Sequence, residues 1–262
     1  MNAISVAAWG FGTSIRDGGR LGRAGLGVSR GGAVDLGSLR LANRLVGNGA
    51  DVAAIETSGG FEIVFQRPVM VAVCGALGDI TVVGGPPVGW GAPVVLPAGA
   101  QLRVGRLTGG ARVYVAIRGG VSAIGDDLAV GPDPGTPAAV ENAPRRAAPS
   151  SIRVWPGPRR DWFTPAAWQH LVSDTYTVST QSDRVGSRLI GPQLDRIVTA
   201  ELAPEGVVEG AIQVPPDGQP IAMLADHPTT GGYPVIAVVD PDDIGHLAQL
   251  PPGAVVRFSA AR

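Results

Sequence analysis

Leu96-Pro97-Ala98-Gly99-Ala100-Gln101-Leu102-Arg103-Val104 returns near the end of the chain as Leu250-Pro251-Pro252-Gly253-Ala254-Val255-Val256-Arg257-Phe258. Each copy reads as a Pro-Gly turn leading into a strand: proline presets one φ, glycine supplies a positive one, and apolar residues then alternate. About 30 residues before each turn lies an apolar run, Val69-Met70-Val71-Ala72-Val73-Cys74-Gly75 in one case and Pro220-Ile221-Ala222-Met223-Leu224-Ala225-Asp226 in the other. The common order is apolar strand, Leu-Pro-x-Gly-Ala-x-x-Arg, closing strand, the mark of a duplicated β unit.

Outward from these two turns, period-two alternation between Gly or Pro boundaries predicts strands over 61–65, 69–74, 80–83, 101–104, 112–118, 151–154, 176–180, 211–214, 221–225, 235–239 and 255–258. Only three segments carry helical period. The stretch 35–46 starts at an acidic N-cap and stops at Gly47, 164–172 has Thr164 as N-cap and Pro165 behind it, and 241–249 is short. The expected architecture is mainly β in two related halves, 1–125 and 151–262, with few short helices. Residues 126–150, rich in Pro, Ala, Gly and Asp, read as a linker or surface loop.

Composition agrees. The chain of 262 residues holds 39 Gly and 23 Pro, about 24% against the roughly 12% usual for soluble proteins, which disfavours long helices. All 21 basic residues are Arg. Schiff-base chemistry, a lysine general base and a Walker-type phosphate lysine are therefore excluded. A net charge of −1 without a basic run gives no footprint for nucleic acid, and no apolar stretch is long enough to span a membrane as a helix. Without a signal-like start the chain reads as cytoplasmic. The single Cys74, in an apolar run, reads as a buried inert thiol. His170, His227 and His246 are too dispersed for a metal site.

Two segments carry chemistry. The first is Asp226-His227-Pro228-Thr229-Thr230-Gly231-Gly232-Tyr233-Pro234, which follows an apolar strand and the turn Pro215-Pro216-Asp217-Gly218. Carboxylate, imidazole, two hydroxyls and a phenol lie close together between prolines. The residues read either as a pocket wall or as a capped turn in which Asp226 and His227 satisfy only backbone groups. The second runs from Gly10 to Arg20 and on through Gly31-Gly32-Ala33-Val34-Asp35. Its glycines read as loop packing or as polar backbone around Asp17, Arg20 and the start of the Asp35 helix, whose free amides suit a carboxylate or phosphate.

These blocks, with Leu41-Ala42-Asn43, Leu45-Val46-Gly47-Asn48, Ile55-Glu56, Asp183-Arg184-Val185-Gly186 and above all 210–239, resemble one family. It is called allophanate hydrolase subunit 2, or the C subunit of 5-oxoprolinase, and comprises KipA-like proteins of carboxyltransferase-domain type. The resemblance covers most of the chain. It implies cyclophilin-like β-barrel halves and a small partner, KipI-like, of the type that forms the B component of 5-oxoprolinase. It also implies a LamB/YcsF-like partner, the A component of 5-oxoprolinase, and ATP-dependent opening of 5-oxoproline to glutamate. After Gly119-Gly120-Val121 the chain departs from the family pattern, with a shorter and different stretch to Pro149.

On that resemblance, the expected site lies where the Asp17 to Arg20 segment meets the loop from Asp226 to Tyr233. Asp17, Asp226 and His227 are the candidate acid–base residues. Arg20 is the partner of a substrate carboxylate or phosphate, and Gln213, Asp217, Thr229, Thr230 and Tyr233 position the substrate. Two alternatives fit the same family: carboxyl transfer from biotin on a carrier protein to a urea-like acceptor, and a non-enzymatic regulator that binds a KipI-like protein.

Overall fold

A computed structural model of the chain describes residues 4–124, 126–140, 142–145 and 147–261. Two compact units result: Arg20–Val34 joins the residues from 147 onward, and the other described residues form the first unit.

The first unit contains strands β1 (Ile4–Ala8), β2 (Ser14–Arg16), β3 (Ala54–Thr57), β4 (Phe61–Phe65), β5 (Val69–Gly75), β6 (Gly78–Val82), β7 (Pro93–Leu96), β8 (Gln101–Leu107), β9 (Val113–Ile117), β10 (Val121–Ile124) and β11 (Asp127–Val130). They form a six-stranded sheet, β10-β11-β1-β4-β8-β6, and a five-stranded sheet, β2-β3-β9-β5-β7. Alternate residues of the two sheets share one core: Ile4, Phe61, Ile63, Leu102 and Val104 from the first, and Ile55, Val71, Val73, Val115 and Ile117 from the second. Helix α1 (Leu36–Leu45) packs on β5 and β9. Strand β9 is therefore buried at every position, and it reads as a continuous apolar run with one tyrosine.

The second unit contains β12 (Ile152–Pro156), α2 (Pro165–Ser173), β13 (Thr175–Val178), β14 (Gly186–Ile190), β15 (Glu205–Gly206), β16 (Ala211–Gln213), β17 (Ile221–Met223), β18 (Thr230–Gly231), β19 (Val235–Val239), α3 (Ile244–Ala248) and β20 (Val255–Ala260). Seven strands close into a barrel, β12-β19-β16-β17-β14-β13-β20, and β15 pairs with β18 in a separate ribbon. Closure removes the exposed edges that an open sheet of this size would present. The interior takes alternate residues such as Val154, Val178, Leu189, Ile212, Val214, Ala222, Ile236 and Phe258. Ala167, Trp168 and Leu171 of α2 join them, as does Val34 from the early segment. Burial of each large aliphatic side chain contributes about 1.5–3 kcal/mol.

The repeated turn is built alike in both units. Gly99 donates to Phe65 O at 2.7 Å, Phe65 donates to Ala100 O at 3.0 Å, and Val64 stands opposite Gln101. Likewise Gly253 donates to Val178 O at 2.8 Å, Val178 donates to Ala254 O at 2.9 Å, and Thr177 stands opposite Val255. Beyond that strand pair the units diverge. Strand β8 continues to β6 antiparallel, whereas β20 continues to β12 in parallel.

Two expectations about chain organisation change. Arg20–Val34 belongs with the second unit, because Val34 enters its core and Gly31 donates to Ala225 O at 2.9 Å. The expected linker is not free-running: Asp127–Val130 is a strand paired with β10 and β1. The irregular residues after it are strapped to the first unit. Arg118 grips Asp133 through Nε at 2.9 Å and Nη2 at 2.7 Å, holding that carboxyl down at about 2, and Ala139 donates to Leu45 O. The strand is only four residues long and opens on Asp127 after Gly125-Asp126, so it lacks the apolar alternation that marks the others. No described helix is long and apolar enough to cross a membrane.

Candidate functional site

At the end of the barrel where β17 finishes and β14 and β16 begin, four pieces of chain converge. Leu224 donates to Val185 O and Asp226 to Arg184 O, prolonging the β14–β17 pairing past its last ladder residues. Gly31 lies beside the same strand extension, and Arg20 is drawn in because its N–H donates to Arg30 O at 2.7 Å. The exposed Arg20 guanidinium passes so near Gly31 that a Cβ there would meet Nη2 at 2.6 Å. Gly210 donates to Met223 O at 2.8 Å and fixes the fourth piece.

Charged side chains occupy this end in two sets. Arg184 grips Asp226 through Nε at 2.9 Å and Nη2 at 3.3 Å, and the same Nη2 reaches Gly32 O. One guanidinium therefore clamps the Asp226 strand to the Gly31-Gly32 segment. The second set is Arg30, Glu209 and His227. Arg30 Nη1 donates to Glu209 Oε2 at 2.5 Å, and both side chains are mostly buried. Burial pushes the Glu209 carboxyl above its ordinary range, while Arg30 and then His227 pull it down. Glu209 Oε1 is buried and receives no hydrogen bond from any described residue.

His227 is buried, and its Nδ1 lies 2.8 Å from Pro228 O. A carbonyl oxygen only accepts, so Nδ1 carries the proton and Nε2 of the neutral ring is the basic nitrogen. This is the chemistry the end of the barrel offers: an imidazole with a fixed tautomer, and two carboxylates, Glu209 and Asp226, each held by a guanidinium.

The loop expected as one pocket wall is instead a strap. From His227 it runs over the outer face of the barrel, where β18 pairs with β15 above a small apolar cluster of Val207, Ala211, Ile221, Met223 and Val235. It then enters β19 at the opposite end. There Tyr233 O accepts from Gln213 and Pro234 O accepts from Val214 N–H at 3.1 Å. Thr229 holds the strap by accepting from Val207 N–H at 3.0 Å, and Thr230 lies in its ribbon. Buried Gln213 lies beneath the strap and donates to Tyr233 O at 3.2 Å, close against Gly231. Exposed Asp217 sits in the β16–β17 turn, at the end away from His227, where its Oδ1 caps Gln219 N–H at 3.0 Å. At that end Arg196 donates to Val214 O, and its buried Nε has no partner among the described residues. Loss of solvation lowers the Arg196 pKa, with Tyr233 and Asp217 opposing that shift.

Asp17 belongs to the first unit, is exposed and accepts from Gly19 N–H at 2.9 Å, a turn-capping contact. The start of α1 is capped by its own acidic residue. The Asp35 carboxylate itself takes Ser38 N–H at 3.0 Å and Ser38 Oγ at 2.6 Å, so it caps the helix and places a negative charge where a phosphate would sit. With no lysine in the chain, a Walker-type phosphate lysine is not available to a nucleotide. Among the described residues no cluster of His, Cys or carboxylates is arranged for a metal ion. Burial raises the Cys74 thiol to about 12, so it offers no thiolate.

Sequence reasoning did not single out Arg30, Glu209, Arg184 or Arg196 as site residues. Glu209 carried one signal, a lone carboxylate between Val207-Val208 and Gly210 at the mouth of a strand. What makes it a site residue is Arg30, 179 positions away, and no local pattern reports that.

A closed barrel with an ionisable cluster at one end and a β-rich companion unit defines the class. The family profile described as carboxyltransferase domain, subdomain A and B matches residues 26–124 and 122–260. The chain belongs to this family. It is 34% identical to the 5-oxoprolinase C subunit of Escherichia coli over 97% of its length and 90% of that protein's. To the Haemophilus influenzae protein of the same name it is 32% identical, over 94% and 87%. It is 31% identical to the urea amidolyase of Saccharomyces cerevisiae, covering 98% of this chain and 16% of that one. The crystal structure of TTHA0988 superposes with a TM-score of 0.87 at 32% identity, and this chain, 99% covered, spans 55% of it. The Kluyveromyces lactis urea carboxylase superposes with a TM-score of 0.86 at 27% identity, over 99% of this chain and 27% of that one.

Proposed function

We propose that the protein is one component of an amide-hydrolysing complex, 5-oxoprolinase-like, that opens 5-oxo-L-proline to L-glutamate with ATP hydrolysis and is inactive alone. The observation that carries the reading is His227, a buried imidazole whose proton is fixed on Nδ1 by Pro228 O, leaving Nε2 to act as base. Water adds its oxygen to the lactam carbonyl carbon as its proton passes to Nε2; the C–N bond then breaks and that proton goes to the leaving nitrogen. Arg20, exposed beside Gly31, pairs with the substrate carboxylate. Asp226, committed to Arg184, holds the segment in place. ATP belongs to the assembled complex, and no step at His227 is routed through it.

Similarity to two proteins named as the C subunit of 5-oxoprolinase, across nearly the whole chain, supports this substrate. The partners are then a KipI-like protein and a LamB/YcsF-like protein, the B and A components of such a complex. Reconstitution tests it: ATP-dependent glutamate formation should require all three proteins, and His227→Ala should lower kcat by at least about 100-fold, the usual share of a general base. Full turnover in that variant removes His227 from the chemistry.

Similarity to urea amidolyase and urea carboxylase favours a second reading, carboxyl transfer to a urea-like acceptor. A chain without lysine holds no biotin of its own, so that activity would depend on a biotinylated carrier. Turnover unaffected by avidin in the reconstituted system disposes of it.

A further inference from the structure

We propose that Glu209 is a positioning residue acting through His227: its carboxylate, anchored by Arg30, is the counter-charge for the imidazolium that forms when His227 takes the proton. The inference rests on the reading of His227 as the base and adds a residue to it. Glu209 is held on both sides by backbone, with Val207 N–H on Thr229 O at 3.0 Å, Gly210 N–H on Met223 O at 2.8 Å and Val239 N–H on Gly210 O at 2.8 Å. It cannot drift to a better-solvated position. Arg30 engages Oε2 alone. Oε1 stays buried without a described donor, an arrangement that destabilises the fold and calls for a role.

The two acids near His227 differ in this respect. Asp226 has both oxygens on Arg184, so its charge is already balanced by a cation. Glu209 lies between Val207 and Gly210, whose N–H groups bond Thr229 O at 3.0 Å and Met223 O at 2.8 Å on either side of His227, so the backbone sets Glu209 next to the turn that carries the imidazole. A carboxylate with one oxygen uncommitted, in low dielectric, stabilises a nearby imidazolium far more than a saturated ion pair does. Its contribution appears only when the proton has moved, which places it in turnover rather than in substrate binding.

The test uses the assembled three-protein complex and the isolated full chain in parallel. In the complex, Glu209→Gln should lower kcat by about 10- to 100-fold and leave KM within about two-fold. In the isolated chain, nitrogen-15 spectra of the histidine rings should show the imidazolium fraction of His227 falling several-fold at a fixed pH of about 6. Glu209→Asp keeps a carboxylate one methylene short and should recover part of both effects, and it serves as the test variant if the Gln chain does not fold. Unchanged kcat, or a His227 spectrum that ignores the charge at position 209, overturns the proposal. If the unsubstituted complex makes no glutamate from 5-oxoproline, the substrate reading fails, and the spectra still decide whether Glu209 governs His227.

Discussion

Gly99 and Gly253 hold the same place in the two units, at φ 81° and 83°, each donating its N–H to the last residue of the strand that its turn closes. Around both, an added Cβ meets nothing within 4 Å. Substitution by alanine therefore introduces no clash, only the strain of an L-residue at positive φ. Gly99→Ala and Gly253→Ala should each destabilise by about 1 kcal/mol, and by the same amount within error. Denaturant unfolding of the two variants checks this. A large cost at one and none at the other would mean that the two turns are alike in sequence but not in what they support.

Those turns also show what the sequence makes legible. A Pro-Gly turn and a period-two run encode their own backbone geometry, so all eleven strands expected from alternation coincide with strands, and the three helical segments with helical turns. Strands without alternation escape. Ala54–Thr57 is buried on both faces and carries Glu56; Gly186–Ile190 has Arg188 among its first three residues; Asp127–Val130 follows a run of Gly and Asp. The site is less legible than the fold for a similar reason. Asp226 and His227 are adjacent and so are visible together, whereas the pairing of Arg30 with Glu209 depends on barrel closure and on an early segment lying in the late unit. Nearness in sequence is not nearness to one end of the barrel: His227 N–H bonds Leu224 O past the end of β17, whereas Tyr233 O meets Gln213 at the end of β16.

Arg184 ties three things together at once, and its loss should be felt in stability before chemistry. Arg184→Ala removes a two-point grip on Asp226 and the bond to Gly32 O, all mostly buried. A loss of about 2–4 kcal/mol is expected, since an anion is left behind without its cation. Arg184→Lys should recover little of it, because an ammonium cannot reproduce the fork. Thermal melts check the cost, and faster amide exchange at Gly31 and Asp226 than in the first unit would place it.

In the first unit the corresponding polar centre is structural. Tyr114 is fully buried; its hydroxyl donates to Glu56 Oε2 at 2.7 Å and accepts from Asp35 N–H at 2.8 Å. Burial, with Glu56 and Asp35 nearby, drives the phenol pKa well above its ordinary value, so it stays protonated and keeps donating. Tyr114→Phe should destabilise by about 1–3 kcal/mol by removing one oxygen that serves two partners. The reconstituted complex should retain its kcat at temperatures where the variant is folded; a loss of turnover there would bring this network into the chemistry.

The buried carboxyl of Glu209 gives the folded protein a pH dependence of definite sign. Its pKa lies above the ordinary 4.5, chiefly through burial, so between 4.5 and that raised value the native state holds a proton that the unfolded chain has released. Stability contributed at this position is therefore greatest in acid and falls as pH rises through the window; above it the native state carries a buried anion that Arg30 only partly offsets. Glu209→Gln has no such titration. The Gln variant should gain stability relative to the unsubstituted chain from about pH 4 to about pH 8, its denaturant midpoint rising against that of the unsubstituted chain at constant slope. A difference that stays flat across that range would mean the carboxylate is as well solvated in the barrel as in the unfolded chain, and its uncommitted oxygen would then have a donor after all.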